Sequence, residues 1–333
     1  MEEAQKRKVS GHSSNGIAVT AKAEAAARLK EYLALDPEGL LGGSGAAAPA
    51  HFSAPPFPVE EEGEAEARRA LAALRDADAE DGGWHHMRHK DVLDMAHLAV
   101  PGTSEHRVRF EVELPHPVEH LVALLHEWDL LPSWNTTCMD ATVLQAPSLW
   151  EALVYTAQWL PYPFSDAQVL ARARAHDLAD EENSVLVTVE SEPFPADNAR
   201  TQPDWTATLP KAIKSRRVVD VLPGTCFNLI CLPRDAAGRA RSRAEIHVHI
   251  DVHLKYVPNA LINFVLKFLA PFIYSTAVKI LDSHFGGEAP SPWEERMARQ
   301  PELFGLLTRR VRDVEQGHKA EEEERMREAL TDA

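Results

Sequence analysis

The segment from Pro258 to Phe285 constrains the fold more than any other part of the chain. It carries Leu261, Ile262, Phe264, Val265, Leu266, Phe268, Leu269, Phe272, Ile273, Val278, Ile280 and Leu281. On a helix these surround most of the circumference. Burying one such Phe or Leu is worth roughly 1.5–3 kcal/mol, so a solvent-facing helix would not carry so many. The polar residues Asn263, Lys267, Ser275 and Lys279 recur at multiples of four. They make a narrow stripe that drifts by roughly 40° at each step. Pro271 sits on that stripe, where it removes a backbone hydrogen bond and is expected to bend the helix. Pro258 suits a first helical turn, and Gly286-Gly287 suits its end. A membrane span fits poorly, because a Lys near its middle costs about 2.5–3.5 kcal/mol. The expectation is a core helix lying over an apolar surface.

The preceding residues read as strands. From His106 to Leu114, Val108, Phe110, Val112 and Leu114 alternate with Arg107, Arg109, Glu111 and Glu113. Such a period of two means a half-buried strand. Pro117–Trp128 reads as a helix, with Val118, Leu121, Leu124 and Leu125 on one side. Strands are predicted at Ala141–Gln145, Leu149–Trp159, Ala167–His176, Ser184–Glu192, Ser215–Leu222, Cys226–Leu232 and Ser242–Tyr256, separated by Pro and Gly turns. Short connections imply antiparallel pairing. A curved antiparallel sheet needs a cover for its concave face, and the last helix is the apolar element large enough to serve. The fold class is therefore α+β.

The flanks differ from this domain, which is predicted to span 64–287. Residues 1–63 read as a poorly ordered leader with a short helix at Ala21–Leu35, broken by Gly42-Gly43-Ser44-Gly45 and Pro55-Pro56. Glu64–Ala79 reads as a helix with Leu71 and Leu74 on one face, ended by Gly82-Gly83. Residues 288–333 read as a charged, solvated helical tail. The charged start from Met1 to Ser10 lacks an apolar run and does not resemble a secretory signal, so a cytoplasmic location is expected.

A net charge of −16 makes nucleic acid a poor partner. Cys138, Cys226 and Cys231 form no disulfide framework and no zinc spacing, and are expected to be core thiols. Cys138 near His126 has nothing to orient it as a nucleophilic pair. His247, His249, Asp251 and His253 share one strand face at roughly 6.5–7 Å intervals. Two His and an Asp suit iron or zinc, but a solvated or cross-strand-paired face is the plainer reading. The same holds for His85, His86 and His89, which read as a surface strand edge. Gly43-Ser44-Gly45 lies in the leader rather than on a strand-to-helix elbow, and so is not a hydrolase motif.

Three segments carry a family resemblance. Leu131-Pro132-Ser133-Trp134-Asn135 with Asp140–Leu144, then Trp159–Asp166, then Val257–Phe264 resemble segments of the steroidogenic-acute-regulatory-related lipid transfer (START) family, in register over about 200 residues. The resemblance implies a helix-grip fold: a curved antiparallel sheet wrapped around a long C-terminal helix, with a lipid or sterol cavity between them and no required cofactor. It also marks a departure. The family often carries Arg-Asp after the proline-rich turn, and here Ala167-Gln168 stands there. Arg172 or Arg174 is the expected substitute for head-group contact.

The candidate lining follows from the strands and the helix. Ala171, Ala173 and Ala175 share one face, and small side chains leave volume uncovered. Trp150, Ala152 and Val154 make a similar face on the preceding strand, although Leu149, Leu153 and Tyr155 opposite are also apolar, so the side stays open. Leu261, Phe264, Val265, Phe268 and Phe272 are expected to close the site, with Arg172 as its polar contact. The leading expectation is binding of a lipid or sterol and its transfer through transient membrane contact. Exchange would be gated at the Pro271 bend or at loops near Pro223-Gly224. Two other readings stand beside it. A helix-grip cyclase, dehydratase or hydrolase would need convergent polar groups inside, such as a His–Asp or His–Glu pair, and the direction of His247–His253 would discriminate it. A protein-interaction adaptor would work through the two terminal extensions.

Overall fold

The computed structural model describes residues 61–76, 83–89, 93–160, 165–195, 204–209, 216–254, 262, 265–287 and 289–331. The predicted leader, the short helix within it and the Val257–Phe264 motif, apart from Ile262, lie outside the described residues.

The alternating segments form one eleven-stranded sheet. Its strands are β1 (His85–His89), β2 (Leu93–Ala99), β3 (Glu105–Leu114), β4 (Cys138–Ser148), β5 (Glu151–Gln158), β6 (Ala167–Leu178), β7 (Ser184–Ser191), β8 (Arg217–Val218), β9 (Asp220–Val221), β10 (Cys226–Leu232) and β11 (Arg241–Asp251). The order is β1-β2-β3-β11-β10-β7-β6-β5-β4. All these pairs are antiparallel; β8 adds to β6 in parallel, and β9 pairs with β11. The β4–β5 ladder slips between Cys138 and Asp140, between Val143 and Gln145, and between Gln145 and Ser148. Such irregularities bend and twist a sheet. The predicted strand at Ser215–Leu222 is split at Val219 into β8 and β9.

Residues paired across a ladder share a face, so the register sorts the whole sheet. One face holds Leu93, Met95, Val112, Leu114, Ala244, Leu229, Cys231 and Val185. This inner face packs on α2 (Val118–His126) and on the late helices in one buried cluster with Leu121, Leu281 and Phe285. The opposite, outer face carries Leu186 and Cys226. There α1 (Glu61–Asp76) lays down Ala67, Ala70 and Leu74. Beyond α2, a 3-10 turn (Trp128–Leu130) and α3 (Leu131–Trp134) lead into β4, and α4 (Ala179–Glu182) links β6 to β7. The result is an α+β helix-grip fold.

The closing helix, expected to bend at Pro271, opens on a wider turn. Val265–Leu269 is a π-turn, and α5 (Ala270–His284) follows it. Pro271 is buried, whereas Lys267, Ser275 and Lys279 are exposed, so Pro271 leaves the polar stripe on which the sequence put it. The cause is the wider turn. Pairing at i→i+5 brings residues five apart onto one side, and Leu266 and Pro271, both buried, are five apart. It also suits a proline, which has no N–H to donate to residue 267.

The reading of 288–333 as solvated is corrected. Helices α6 (Pro292–Arg299) and α7 (Pro301–Thr331) bury Trp293, Leu303, Phe304, Leu307, Val311 and Val314 in the main core. Ser291 starts α6 with a reciprocal cap: its hydroxyl accepts from the Glu294 N–H, and Glu294 accepts from the Ser291 N–H. Arg296 then clamps Glu127 and Asp129 behind α2, at 2.7 and 2.5 Å. No described helix is long and apolar enough to cross a membrane.

Candidate ligand-binding site

The inner face has two halves. The half nearest β3 and β11 is filled by helices. The half on β5–β7 is lined by smaller groups: Ala152 faces Ala173, Val154 faces Ala171, and Ala173 faces Val189. Ala171, Ala173 and Val189 form their own cluster, with Val169, Val187, Val221, Phe227 and Trp128 at its margin. Ala175 faces Val187, and Trp150 precedes β5 on the same side, its carbonyl accepting from the Ala175 N–H at 2.7 Å. Trp150, Ala152, Val154, Ala171 and Ala173 thus share one surface. Leu153 and Tyr155, left open as alternatives, point to the outer side.

Arg172 does not join them. It stands between Ala171 and Ala173 and therefore faces outward, where its guanidinium pairs with Glu151 and with Glu192. Arg174 is likewise outward, 2.6 Å from Glu66 of α1. Neither can reach the inner face. Phe268 is 58% exposed, so its side chain is not a wall of the site, while Phe272 is half-buried. Leu261, Phe264 and the Val265 side chain lie outside the described residues.

The histidine row also faces outward. His247 lies against Trp84, with ring centroids 6.2 Å apart, and its Nδ1 meets the Gly224 carbonyl at 2.8 Å. His249 pairs with Glu105 at 2.9 Å, and His253 pairs with Asp220 at 2.8 Å. Cross-strand pairing uses these rings. Among the described residues no group of three or more His, Cys, Asp or Glu is placed to hold a metal. The imidazoles on the inner face are a different pair: His97 and His106 touch at 3.1 Å. Burial, then the neighbouring His106 and His85, push His97 down to about 4, so it stays neutral near neutrality. The Pro223-Gly224 turn, one of the expected gates, packs against α1. Gly224 is buried at φ +94°, and a Cβ there would stand 3.2 Å from that of Ala73.

All three thiols are buried. Burial pushes Cys138 up to about 11, and Cys226 and Cys231 up to about 12. They stay protonated and are poor nucleophiles.

Arg217 escaped the sequence reading. It pairs in register with Ala167, which places it on the inner face. Its neighbour Arg216 turns outward to donate to Tyr155 Oη at 2.7 Å. Only the parallel β8–β6 pairing reveals this, and no local pattern announces it.

Comparison with known proteins locates the fold. The sequence matches no protein-family profile and no curated protein. Solved structures match at low identity. Human STARD10 is 14% identical, covers 76% of this chain and 90% of its own, and superposes with a TM-score of 0.50. A STAR-related lipid transfer protein from Xanthomonas axonopodis is 16% identical over 60% of this chain and 99% of its own, with a TM-score of 0.43. The Zhui aromatase/cyclase from Streptomyces sp. R1128 is 7% identical over 56% of this chain and 99% of its own, with a TM-score of 0.37.

Proposed function

We propose, taking the START-type helix-grip fold as premise, that the chain binds a hydrophobic ligand on the alanine-lined half of its inner face and carries it between membranes. The observation that carries this reading is the facing of Ala152 with Ala173 and of Val154 with Ala171, beside Ala175. Large side chains fill the rest of that face, whereas small ones recur here. A ligand chain leaving a bilayer for such a surface exchanges one apolar surrounding for another. Each methylene would cost about 0.8 kcal/mol only while exposed to water. The protein's task is to shield that passage, and the tail itself contributes little preference between membrane and protein. The π-turn at Val265–Leu269 supports a movable cover, since such turns interrupt the regular helical ladder.

The direction of His247–His253 discriminates the enzyme reading, and their outward pairing favours ligand binding over it.

The test fills the surface. Ala173→Trp adds a large side chain where a ligand would lie. Native mass spectrometry after incubation with liposomes should detect retained lipid on the wild type and about tenfold less on the variant, with the melting temperature held within a few degrees. A well-packed face would instead lose about 1–3 kcal/mol to overpacking. Equal lipid retention by both proteins, or none by the wild type, would sink the reading.

A further inference from the structure

Glu105, Asp251 and Asp220 stand on directly facing positions of β3, β11 and β9, so three carboxylates form one row across the sheet. Like charges opposed across a ladder push the strands apart. His253, just past the end of β11, bridges two of them: its Nε2 is 2.8 Å from Asp220 and its Nδ1 is 3.4 Å from Asp251. His249 serves Glu105 in the same way. A neutral imidazole carries one N–H, so only the imidazolium donates to both aspartates. The backbone bends sharply to hold the ring there. His253 has φ +51°, uncommon for a residue with a Cβ. Its N–H donates to Asp251 Oδ1 at 2.8 Å, and the Ser104 hydroxyl donates to the same oxygen at 2.5 Å. Strained residues persist where their surroundings over-determine them, and they gather at clamps and switches. The ladder held in this way is short: β9 joins β11 through Ile250 with Val221 and Asp251 with Asp220. Downstream, Leu222 donates to the His249 carbonyl at 2.8 Å, and the chain enters the Gly224 turn packed on α1. Beside the other end opens a cleft of about 380 Å³, lined by Ser165, Arg216, Arg217, Val218 and His253. On the inner side, Val221 packs at the margin of the alanine-lined cluster. The seam between β9 and β11 therefore lies between an opening and the ligand surface.

We propose that the seam between β9 and β11 is the passage by which a ligand reaches the inner face, and that His253 is its clasp. This rests on the ligand-binding reading above and names its gate. Parting the seam separates two residue pairs, and the facing aspartates supply the force. Once the imidazole gives up its proton or turns away, Asp220 and Asp251 confront each other with no shared donor. The other polar groups nearby are committed elsewhere: Ser104 and His106 act on Asp251, and Arg216 donates to Tyr155 Oη. The side chain of His253 is 46% exposed, and an exposed ion pair is worth little. A clasp must be weak to open often, and the anchored turn at Gly224 keeps the opening confined to the Asp220 end.

Hydrogen–deuterium exchange of the full chain reads the seam at the amides of residues 220–222 and 252–254. His253→Gly removes the ring and keeps the turn, since glycine adopts a positive φ freely. Exchange there should quicken by about tenfold, the scale of one hydrogen bond to a charged group, with the melting temperature unchanged. Transfer of pyrene-labelled phosphatidylcholine between phosphatidylcholine vesicles should quicken with it. Asp220→Asn added to His253→Gly removes the opposed charge and should return both rates toward the wild type. A ring that merely fills space would show no such rescue. Wild-type transfer should also quicken as rising pH strips the imidazolium, and His253→Gly should lose that dependence. Unchanged seam exchange in His253→Gly overturns the clasp. A faster seam with unchanged transfer overturns the passage and leaves ligand binding standing. No transfer by the wild type, and no lipid retained on it in native mass spectrometry, overturns the ligand-binding reading and the passage with it.

Discussion

Removing residues 288–333 should abolish the fold rather than trim a tail. The deleted stretch supplies Trp293 at 0% exposure and Leu307 at 1%, with Leu303, Phe304, Val311 and Val314 beside them. At roughly 1.5–3 kcal/mol each, these side chains bring about 9–18 kcal/mol of gross burial. A whole domain retains a net stability of only about 5–15 kcal/mol. The freed segment regains entropy, which returns part of the loss but not the exposed surface of α2 and β10. Deletion also removes Arg296, which neutralises Glu127. Burial alone would raise that carboxyl, but bonds from His126 and Arg296 outweigh it and hold it below the usual range. Far-UV circular dichroism with thermal melting reads the outcome. The chain ending at residue 287 should show no cooperative transition, while one ending at Lys319 should melt close to the full chain. Leu307→Ala grades the effect. It should cost about 2–5 kcal/mol, or roughly 4–20 °C in a protein of this size. A 1–287 chain that melts cooperatively within a few degrees of the full chain would refute the assignment of α6 and α7 to the core.

Acid should weaken the protein before its carboxylates titrate. Burial, then the nearby imidazoles, push His97 and His120 down to about 4, whereas an unfolded His binds its proton near 6.5. Within that window the unfolded state holds more protons, so stability falls as pH drops from about 6.5 to about 4 and levels off below. The urea midpoint should therefore be lower at about pH 5 than at about pH 7, and His120→Leu, at the ring stacked 4.1 Å from Phe285, should lessen the difference. A midpoint that does not move with pH contradicts the burial of these rings. Gly224→Ala should cost about 1–2 kcal/mol for its positive φ alone, with a further loss from the 3.2 Å approach to Ala73. Equilibrium urea unfolding measures it, and an unchanged midpoint would mean that the turn is free to move.

The strands were legible where one face is polar. Val108 to Leu114 against Arg107 to Glu113 reads the same in the sequence and in the sheet, because a period of two leaves one arrangement that buries the apolar set. The tail was misjudged because its charge is dense. Leu303, Leu307 and Val311 recur every four residues, with Val314 one turn further, so its buried stripe was present. A count of charges hides such a stripe, whereas a sorting by face finds it. The π-turn had a weaker cue. Pro271 announced a disturbance, but whether a proline bends a helix or widens a turn depends on what it packs against.

The site divides along the same line. Ala171, Ala173 and Ala175 share a face by local periodicity, and the same periodicity places Arg172 and Arg174 on the other. Choosing Arg172 as the polar contact for an alanine-lined surface needed a bulge between neighbours, and the β6–β7 ladder runs through Ala171, Arg172 and Ala173 without one. Arg217, which the sequence reading did not single out, lies on a strand of two residues. Two residues carry no periodicity, so no reading of Arg217 in isolation could choose its face. Its direction is set by the parallel pairing with Ala167, the position where the family resemblance leads one to expect a charge and finds a methyl group.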